Sequence, residues 1–234
     1  MNYFGDLQDK IITTNEMHFA VSGGLSYQVI PHLSTNLYLT LGSVGASDSK
    51  NGEKWKYRNL SFQSYIFETA LTAEYDILNM ETPGKRNKFT PYIFAGVGVF
   101  HFNPYTYDAS GNKVYLQPLG TEGETTPYSL WQFCIPFGVG AKYAVSSTVR
   151  LSAEFNIRKL FTDYLDDVSQ HQYADTTQLL ITRGPEAASL SYRADEIPNS
   201  PYKFYGYRGN PGKKDGYYSF IIRASLQLFT GRFQ

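Results

Sequence analysis

The sequence predicts an all-β protein, an eight-stranded antiparallel up-and-down transmembrane β-barrel. Three observations lead to this fold class. Apolar and polar residues alternate through seven long stretches, and the links between these stretches alternate between short and long. The composition is also rich in Tyr (20) and Phe (16), with only 18% charged residues. Tyr and Phe favour the pleated surface of a sheet.

The clearest strand pattern lies in TVRLSAEFNIRKLF, residues 148–161. Its odd positions from 149 to 157 are apolar, whereas Arg150, Glu154 and Arg158 fall at even positions. The spacing of four between these charges fits a helix or a strand, but a helix would scatter the apolar residues around its circumference. The pattern therefore indicates a strand with one apolar face and one charged face.

Six further stretches show the same alternation. FTPYIFAGVGVFHF is less regular, because Phe94 and Phe100 share the glycine face; we place Ile93 and Val97 outward with their odd-numbered neighbours. The other five stretches are MHFAVSGGLSYQVI, NLYLTLGSVGASDS, SYIFETALTAEYDIL, SLWQFCIPFGVGAKYAV and YYSFIIRASLQLF, and MNYFGDL supplies a short eighth strand. The long strands exceed the roughly 5–6 residues of an average strand and reach the about 9–11 residues that cross a bilayer at a tilt.

The links alternate in length along the chain. PHLST, NMETPGKRNK and SST are short or moderate and resemble turns. The intervening links are long and polar: GASDSKNGEKWKYRN, NPYTYDASGNKVYLQPLGTEGETTPYS, and about residue 162 to about residue 216. Short periplasmic turns opposite long extracellular loops are typical of small OmpA/OmpX-like outer-membrane barrels. We therefore treat residues 1–234 as one barrel domain with a short first strand.

The polar faces of the strands carry equal numbers of acids and bases. An Arg or Lys facing lipid at the bilayer midplane costs about 2–4 kcal/mol, whereas buried charges are tolerated when paired. An eight-stranded barrel is just wide enough to be filled by side chains. We expect a filled interior with an internal charge network of Glu68, Glu74, Asp76, Lys142, Arg150, Glu154, Arg158 and Arg223.

A soluble alternative uses the same alternation in the opposite sense. Lipocalin-like carriers also have eight antiparallel strands, with the apolar face lining a ligand cavity and the charged face in water. The membrane orientation is favoured because the polar face contains many Gly, Ser and Thr residues and few charges. Aromatic residues also cluster near strand ends on the apolar face, like the girdles of membrane barrels.

Composition and charge exclude several other classes. The 21 basic and 21 acidic residues balance, so nothing favours a nucleic-acid partner. The single cysteine, Cys134, excludes an intrachain disulfide framework and a Cys-rich zinc site. No apolar run has the roughly 18 residues of a membrane helix, and MNYFGDLQDK lacks the features of a signal peptide. Either the protein stays inside the cell or the sequence begins after a cleavage site.

No motif points to catalysis, a cofactor or a metal. The four histidines, His18, His32, His101 and His171, lack metal-ligand spacing. GVGVF and GVGAK lie within strands, and GNPGKKDG is a hairpin tip rather than a phosphate loop. The aspartates Asp163, Asp166, Asp167 and Asp175 could be calcium ligands, but they lack EF-hand spacing, so an ordered polar loop is favoured. Cys134 is expected on the interior face as an inert small group.

Several stretches together resemble the PorG-like outer-membrane β-barrels of Bacteroidetes. The stretches are NYFGDL, PYIFAGVGVFHFNP, GVGAKY, FTDYLDDVS and YGYRGNPGKKDGYYSF, and they span nearly the whole chain. The aspartate-rich loop, followed in order by the Arg-Gly-Asn tip, is the most specific part of the resemblance. The alternation itself is shared by small barrels in general.

The resemblance implies a non-enzymatic accessory protein of the type IX protein secretion system in the Gram-negative outer membrane. Its implied partners are outer-membrane lipid and a periplasmic ring of lipoprotein and partner subunits that supports export of cargo with a C-terminal sorting domain. From the topology we infer that the periplasmic turns form the contact surface, with candidate residues Pro31, His32, Glu81, Lys85, Arg86, Ser146 and Ser147.

Two other functions stay open. The same barrel could stand alone at the cell surface and bind ligands through its long loops, foremost the aromatic loop NPYTYDASGNKVYLQPLGTEGETTPYS. The soluble carrier of an apolar ligand is the third possibility. Co-purified ring proteins would support the secretion role, and binding of a fluorescent fatty acid without detergent would support the carrier.

Overall fold

The fold is known from a computed structural model. It describes residues 1–8, 10, 13, 16–52, 55–78, 80, 87–198, 200 and 206–228. The strands are β1 (Asn2–Phe4), β2 (Ala20–Ile30), β3 (Leu33–Ser47), β4 (Ser61–Asp76), β5 (Phe89–His101), β6 (Tyr105–Tyr107), β7 (Lys113–Tyr115), β8 (Trp131–Ala144), β9 (Val149–Leu160) and β10 (Gly216–Leu226). The helices are α1 (Thr176–Arg183) and α2 (Pro185–Ser191), with 3₁₀ turns at Asp48–Lys50, Gln117–Leu119 and Ala194–Glu196.

The strands form one antiparallel up-and-down sheet. Its pairing order is β1-β10-β9-β8-β5-β4-β3-β2, and each pair on this path is antiparallel. Apart from β1 pairing with β10, the long strands neighbour each other in chain order, which short links favour. The predicted all-β, antiparallel, up-and-down class is confirmed.

The strand count differs from the predicted eight. The sheet has ten strands, because the link between β5 and β8 contains β6 and β7. This small hairpin attaches to the sheet through a single register pair, Gln63 with Tyr105 on β4 and β6. Strands of three residues are too short to produce a recognisable alternation, so the sequence pattern did not reveal them.

Burial follows the alternation along the strands. In β4 the exposed residues include Tyr65, Leu71 and Tyr75, whereas their even-numbered neighbours Glu68 and Glu74 are buried. On β5, Ile93 and Val97 are exposed and Phe94 and Phe100 are buried, as predicted for this less regular stretch. The apolar face is therefore the outer surface of the sheet and the polar face is its inner surface.

The sheet is curled so that its polar face is concave. Arg158 on β9 bonds to Glu68 on β4, although β8 and β5 lie between these strands in the pairing order. At one rim the ends of the sheet meet: the His18 N–H donates to the Met1 carbonyl oxygen at 2.8 Å, and the Met1 ammonium donates to the His18 carbonyl oxygen at 2.5 Å. Among the described residues β1 and β2 are not paired as strands, so the sheet is open in its pairing and barrel-like in its curvature.

The links divide the molecule into two edges. The turn edge comprises residues 31–32, 145–148 and the described part of 77–88, whereas the loop edge comprises the described parts of 5–19, 48–60, 102–130 and 161–215. The loop edge is packed and contains α1 and α2, and its buried side chains Leu60, Phe102, Leu116, Leu165 and Leu190 join one apolar cluster. No helix in the described part of the chain has the length and apolar character that a membrane crossing requires.

Candidate functional site

The inner face of the sheet holds most of the predicted charges in three contacting groups. The most buried group is centred on Glu68, whose side chain is fully enclosed. The Arg158 guanidinium donates to its carboxylate from Nη2 at 2.7 Å and from Nε at 3.0 Å, and the Tyr217 hydroxyl donates at 2.6 Å. The Cys134 thiol lies 3.8 Å from the same carboxylate. These strands meet there because inward-facing even positions of β4, β8 and β9 converge as the sheet curls.

The second and third groups lie nearer the turn edge. Lys142 on β8 contacts Glu74 and lies 2.8 Å from Asp76 Oδ1, both on β4. Arg223 on β10 contacts Glu154 on β9. Further polar side chains complete the Glu154 shell: the Tyr92 hydroxyl donates to it at 3.0 Å and the Asn156 amide at 2.7 Å. Arg223 also lies over the Tyr38 ring, at 4.1 Å from its centroid.

Arg150 is placed differently from the other predicted network members. It lies at the turn-edge end of β9, where its Nη2 donates to Gln227 Oε1 at 3.3 Å. The row Arg150, Glu154 and Arg158 therefore faces inward along one strand, but each member contacts a different partner. The inner face is an assembly of matched ions and hydrogen bonds, an arrangement that fills and rigidifies a polar interior.

Four of the predicted partner-contact residues lie in the described part of the turn edge. Pro31 and His32 form the two-residue link of β2 and β3; His32 Nδ1 lies 2.7 Å from the Asp76 carbonyl oxygen, and the Asp76 N–H donates to the His32 carbonyl oxygen at 2.7 Å. Ser146 and Ser147 are exposed in the β8–β9 link, where Ser146 Oγ accepts from the Val149 N–H at 3.0 Å. Glu81, Lys85 and Arg86 lie outside the described residues.

The loop edge contains two buried arginines that the sequence patterns did not single out. Arg58 pairs with Asp48 through two hydrogen bonds of 2.7 and 2.6 Å, and it also donates to the Asp6 and Arg208 carbonyl oxygens. Arg208 donates to Glu122 Oε1 at 3.1 Å and to Thr121 Oγ1 at 2.9 Å. Arg208 belongs to the Arg-Gly-Asn tip, so that motif was the available signal for it. Arg58 and Asp48 carried no local signal.

The four aspartates considered as possible calcium ligands have separate partners. Asp163 accepts from Ser169 Oγ at 2.9 Å, Asp167 from the Thr121 and Tyr128 hydroxyls at 2.5 and 2.7 Å, and Asp175 caps α1. Asp166 lies 2.5 Å from the Tyr3 hydroxyl. Among the described residues, no group of three His, Cys, Asp or Glu side chains could hold a metal ion. The stretch is an ordered polar loop, the favoured alternative.

Burial sets the proton affinities at the loop edge. Desolvation raises the pKa of Asp167 to about 6 despite the nearby Arg208 guanidinium, and it raises the pKa of Glu122 to about 7. Desolvation likewise raises the pKa of Asp163 to about 6. These carboxyl groups are therefore partly protonated close to neutral pH, and acid favours their neutral, buried form.

The histidines lie apart from one another. His18 contacts Met1 near the sheet seam, His32 lies in a turn, His101 lies beside Trp131 with ring centroids 5.0 Å apart, and His171 contacts Tyr207 at 4.1 Å. The His18 ring also lies beside Ser43, with Nδ1 at 3.3 Å from the Ser43 hydroxyl oxygen. The glycines of GVGVF and GVGAK lie within β5 and β8, where they allow atoms of adjacent strands to approach closely.

The loop edge also carries a surface cavity of about 430 Å³. It lies between residues 122–124, residues 170–174 and Pro211. Its lining residues include Glu122, Glu124, His171 and Tyr173. The walls are fixed in part by Glu122, which accepts from the N–H groups of Ser169 and Gln170 at 2.9 Å. Among the residues that the structure describes, His171 is the only basic residue of the lining, which contains no Lys or Arg.

Comparison with curated proteins and with solved structures finds no significant match. A family model described as a domain of unknown function, DUF6089, matches residues 1–180. The matched part contains the strands from β1 to β9, the inner-face residues Glu68, Lys142 and Arg158, and the aspartate-rich loop. Because this match covers more than half of the chain, the protein belongs to the DUF6089 family.

Proposed function

We propose that this protein is a non-enzymatic scaffold of the type IX secretion system in the outer membrane. In this proposal the eight strands of the main pairing path close into a transmembrane β-barrel, and β6 and β7 belong to an extracellular loop. The turn edge faces the periplasm and contacts a ring of lipoprotein and partner subunits. The link to this secretion system rests on the sequence resemblance.

The membrane placement is supported chiefly by the outer surface of the sheet. Large apolar side chains are exposed on β2, β8 and β10, for example Leu25 (73%), Phe133 (69%) and Ile222 (85%), and Phe19 (84%) immediately before β2 is exposed as well. Soluble monomers rarely expose contiguous apolar patches above a few hundred Å². An apolar band with aromatic side chains around a polar interior is the pattern of outer-membrane barrels.

The inner face supports the same placement against the soluble carrier. A lipocalin-like carrier needs an apolar interior, but the interior side chains here include Glu68, Glu74, Glu154 and Arg158, all less than 9% exposed. The charged side chains that meet on the described inner face, such as Glu68 and Arg158, do not suit a fatty-acid chain. A filled polar interior suits an anchor rather than an open pore.

Co-purification from native membranes in mild detergent tests location and partner together. We expect the protein in the outer-membrane fraction, bound to periplasmic ring subunits. Deletion of the gene should strand sorting-domain cargo in the periplasm. Normal secretion in the deletion strain, with a lone barrel in the detergent extract, would contradict the secretion role and leave the membrane placement intact.

The surface cavity favours a second candidate function, ligand binding at the loop edge. Its polar lining, which includes Glu124, Gln172 and Tyr173, suits a ligand with several hydrogen-bonding groups, such as a sugar or a basic peptide. A thermal-shift screen with soluble glycans and basic peptides would test this function. Ligands that stabilise the protein but fail to stabilise the Glu124→Gln and His171→Ala variants would support it.

A further inference from the structure

A tyrosine hydroxyl lies between two buried carboxyl groups at the loop edge. Tyr3 is on β1, Asp166 follows β9, and Asp215 immediately precedes β10. The Tyr3 oxygen is 2.5 Å from Asp166 Oδ2 and 2.9 Å from Asp215 Oδ1. All three residues are at most 2% exposed. The cluster therefore joins three separate chain segments out of contact with water.

The two contacts of the Tyr3 oxygen need two protons to be hydrogen bonds. A neutral tyrosine and two ionised aspartates have only one proton between them. A tyrosine hydroxyl has a single proton and can donate it to only one of the two carboxylates. The other carboxylate would then face the Tyr3 oxygen with lone pairs on both sides. If that carboxyl group is protonated, it donates to the Tyr3 oxygen and both short contacts become hydrogen bonds.

The remaining carboxyl oxygens already have donors. Asp166 Oδ1 accepts from the Val168 N–H at 2.9 Å, and Asp215 Oδ2 accepts from the Leu165 N–H at 3.0 Å. These bonds place the extra proton on an oxygen that faces Tyr3. From this geometry we propose that Asp166 and Asp215 share one proton through Tyr3 and that this proton latches β1 to the loop edge.

The charged groups around the cluster favour retention of the proton. Asp6, after β1, and Asp163, after β9, add negative charge to the same region. Lys213 and Lys214 are the neighbouring cations: Lys213 Nζ donates to the Gly5 carbonyl oxygen, and Lys214 Nζ is 3.9 Å from Asp163 Oδ2. Burial, the largest cause, raises the pKa of both Asp166 and Asp215 well above the ordinary value.

The latch weakens as pH rises. A carboxyl group whose pKa is higher in the folded protein gives its full stabilisation below the unfolded pKa of about 3.9. The stabilisation is lost as pH rises toward the folded pKa, because the opened state releases the proton. For one proton the equilibrium constant for opening increases about tenfold per pH unit across this window. Opening would separate β1 from residues 161–215.

Infrared spectroscopy of the full chain in detergent tests whether the proton is present. At pH 8 most of the neighbouring carboxyl groups with a pKa of about 6 to 7 are ionised. We expect a protonated-carboxyl band at this pH in the wild type, and we expect the band to be lost in Asp166→Asn and in Asp215→Asn. In either variant the amide N–H can donate to the Tyr3 oxygen in place of the proton.

Hydrogen exchange of the peptide containing residues 1–8 tests the latch. After correction for the intrinsic exchange rate, the logarithm of the protection factor should fall as pH rises from 5 to 8. The fall per pH unit should be smaller in Asp166→Asn than in the wild type by about one logarithmic unit. The exposed Asp195→Asn should keep the wild-type slope. Absence of the infrared band in the wild type, or a slope in Asp166→Asn equal to that of the wild type, would overturn the proposal.

Discussion

At the scale of single residues, the inner face depends on buried charges that contact oppositely charged or polar partners. Glu68 is fully buried and takes hydrogen bonds from Arg158, Tyr217 and Cys134. A buried ion pair can contribute little net stability compared with apolar residues, but removal of one partner leaves an uncompensated buried charge. The buried charge of Arg158 is therefore compensated by Glu68.

We expect Glu68→Gln to destabilise the protein by about 3–5 kcal/mol, because the Arg158 guanidinium would stay buried without its counter-ion. Urea unfolding in lipid vesicles measures the loss. Glu186→Gln, a change of the same chemistry on the exposed surface of α2, should alter stability by less than about 0.5 kcal/mol. Equal effects of the two substitutions would contradict the buried pairing.

A second residue-scale feature is the close approach of neighbouring strands at glycine. A Cβ added at Gly96 on β5 would lie 2.1 Å from the Leu71 carbonyl oxygen and 2.7 Å from Thr72 Cα. Both obstacles are backbone atoms of β4, so the clash cannot be relieved by turning a side chain. A Cβ added at Gly23 on β2 meets nothing within 4 Å.

Gly96→Ala should therefore destabilise the protein by about 1–3 kcal/mol, the usual cost of overpacking. Gly23→Ala should be within about 0.5 kcal/mol of the wild type. The urea midpoints of the two variants provide the comparison. A Gly96→Ala midpoint equal to that of Gly23→Ala would show that β4 and β5 are farther apart than described.

At the scale of the element, each long strand presents two different surfaces. The period of two places Leu71 outward and Glu68 inward on the same β4 strand. A hairpin built from such strands has an apolar outer surface that water does not favour. Contact with lipid would remove this surface from water. The support for the membrane proposal therefore comes from the outer faces of the strands.

Leu71→Arg separates the membrane placement from a soluble one. In a bilayer this arginine would face lipid near the middle of β4 and should cost about 2–4 kcal/mol. Leu180→Arg is the matched control, because Leu180 has a similar exposure (51% against 52%) but lies on α1 at the loop edge. Folding yields and urea midpoints in lipid vesicles check this prediction, and equal tolerance of both variants would count against the membrane placement.

At the scale of the whole molecule, the two edges differ in structure. The turn edge has links as short as two residues, whereas the loop edge contains α1, α2 and the Arg58 and Arg208 contacts. Loops held by buried ion pairs form a rigid surface, and short turns leave the opposite edge accessible to a partner. This asymmetry is the basis for our proposal that the turn edge contacts the periplasmic partner.

Site-specific photo-crosslinking can locate the partner surface in cells. A photoreactive amino acid at Ser147, on the turn edge, should crosslink to periplasmic subunits of the secretion system. The same amino acid at Ser110, exposed in the β6–β7 hairpin at the opposite edge, should not. Crosslinks to the ring from position 110 would place the contact on the wrong edge and reverse the proposed orientation.

The sequence by itself determined the long strands, their two faces and the two classes of link. These properties are local: side chains alternate along a strand whatever it pairs with, so Glu68 and Leu71 differ in environment without reference to the rest of the fold. Resemblance in sequence also pointed to the aspartate-rich loop and the Arg-Gly-Asn tip. It did not show that the two would touch.

The tertiary structure decided which polar groups meet. Glu68 and Arg158 are 90 residues apart, and Arg58 and Arg208 are 150 apart, so no periodicity in the chain relates them. Their contacts arise from the curl of the sheet and the packing of two long loops. The cluster of Tyr3, Asp166 and Asp215 likewise exists only because three distant segments converge away from water, where a carboxyl group holds its proton more tightly.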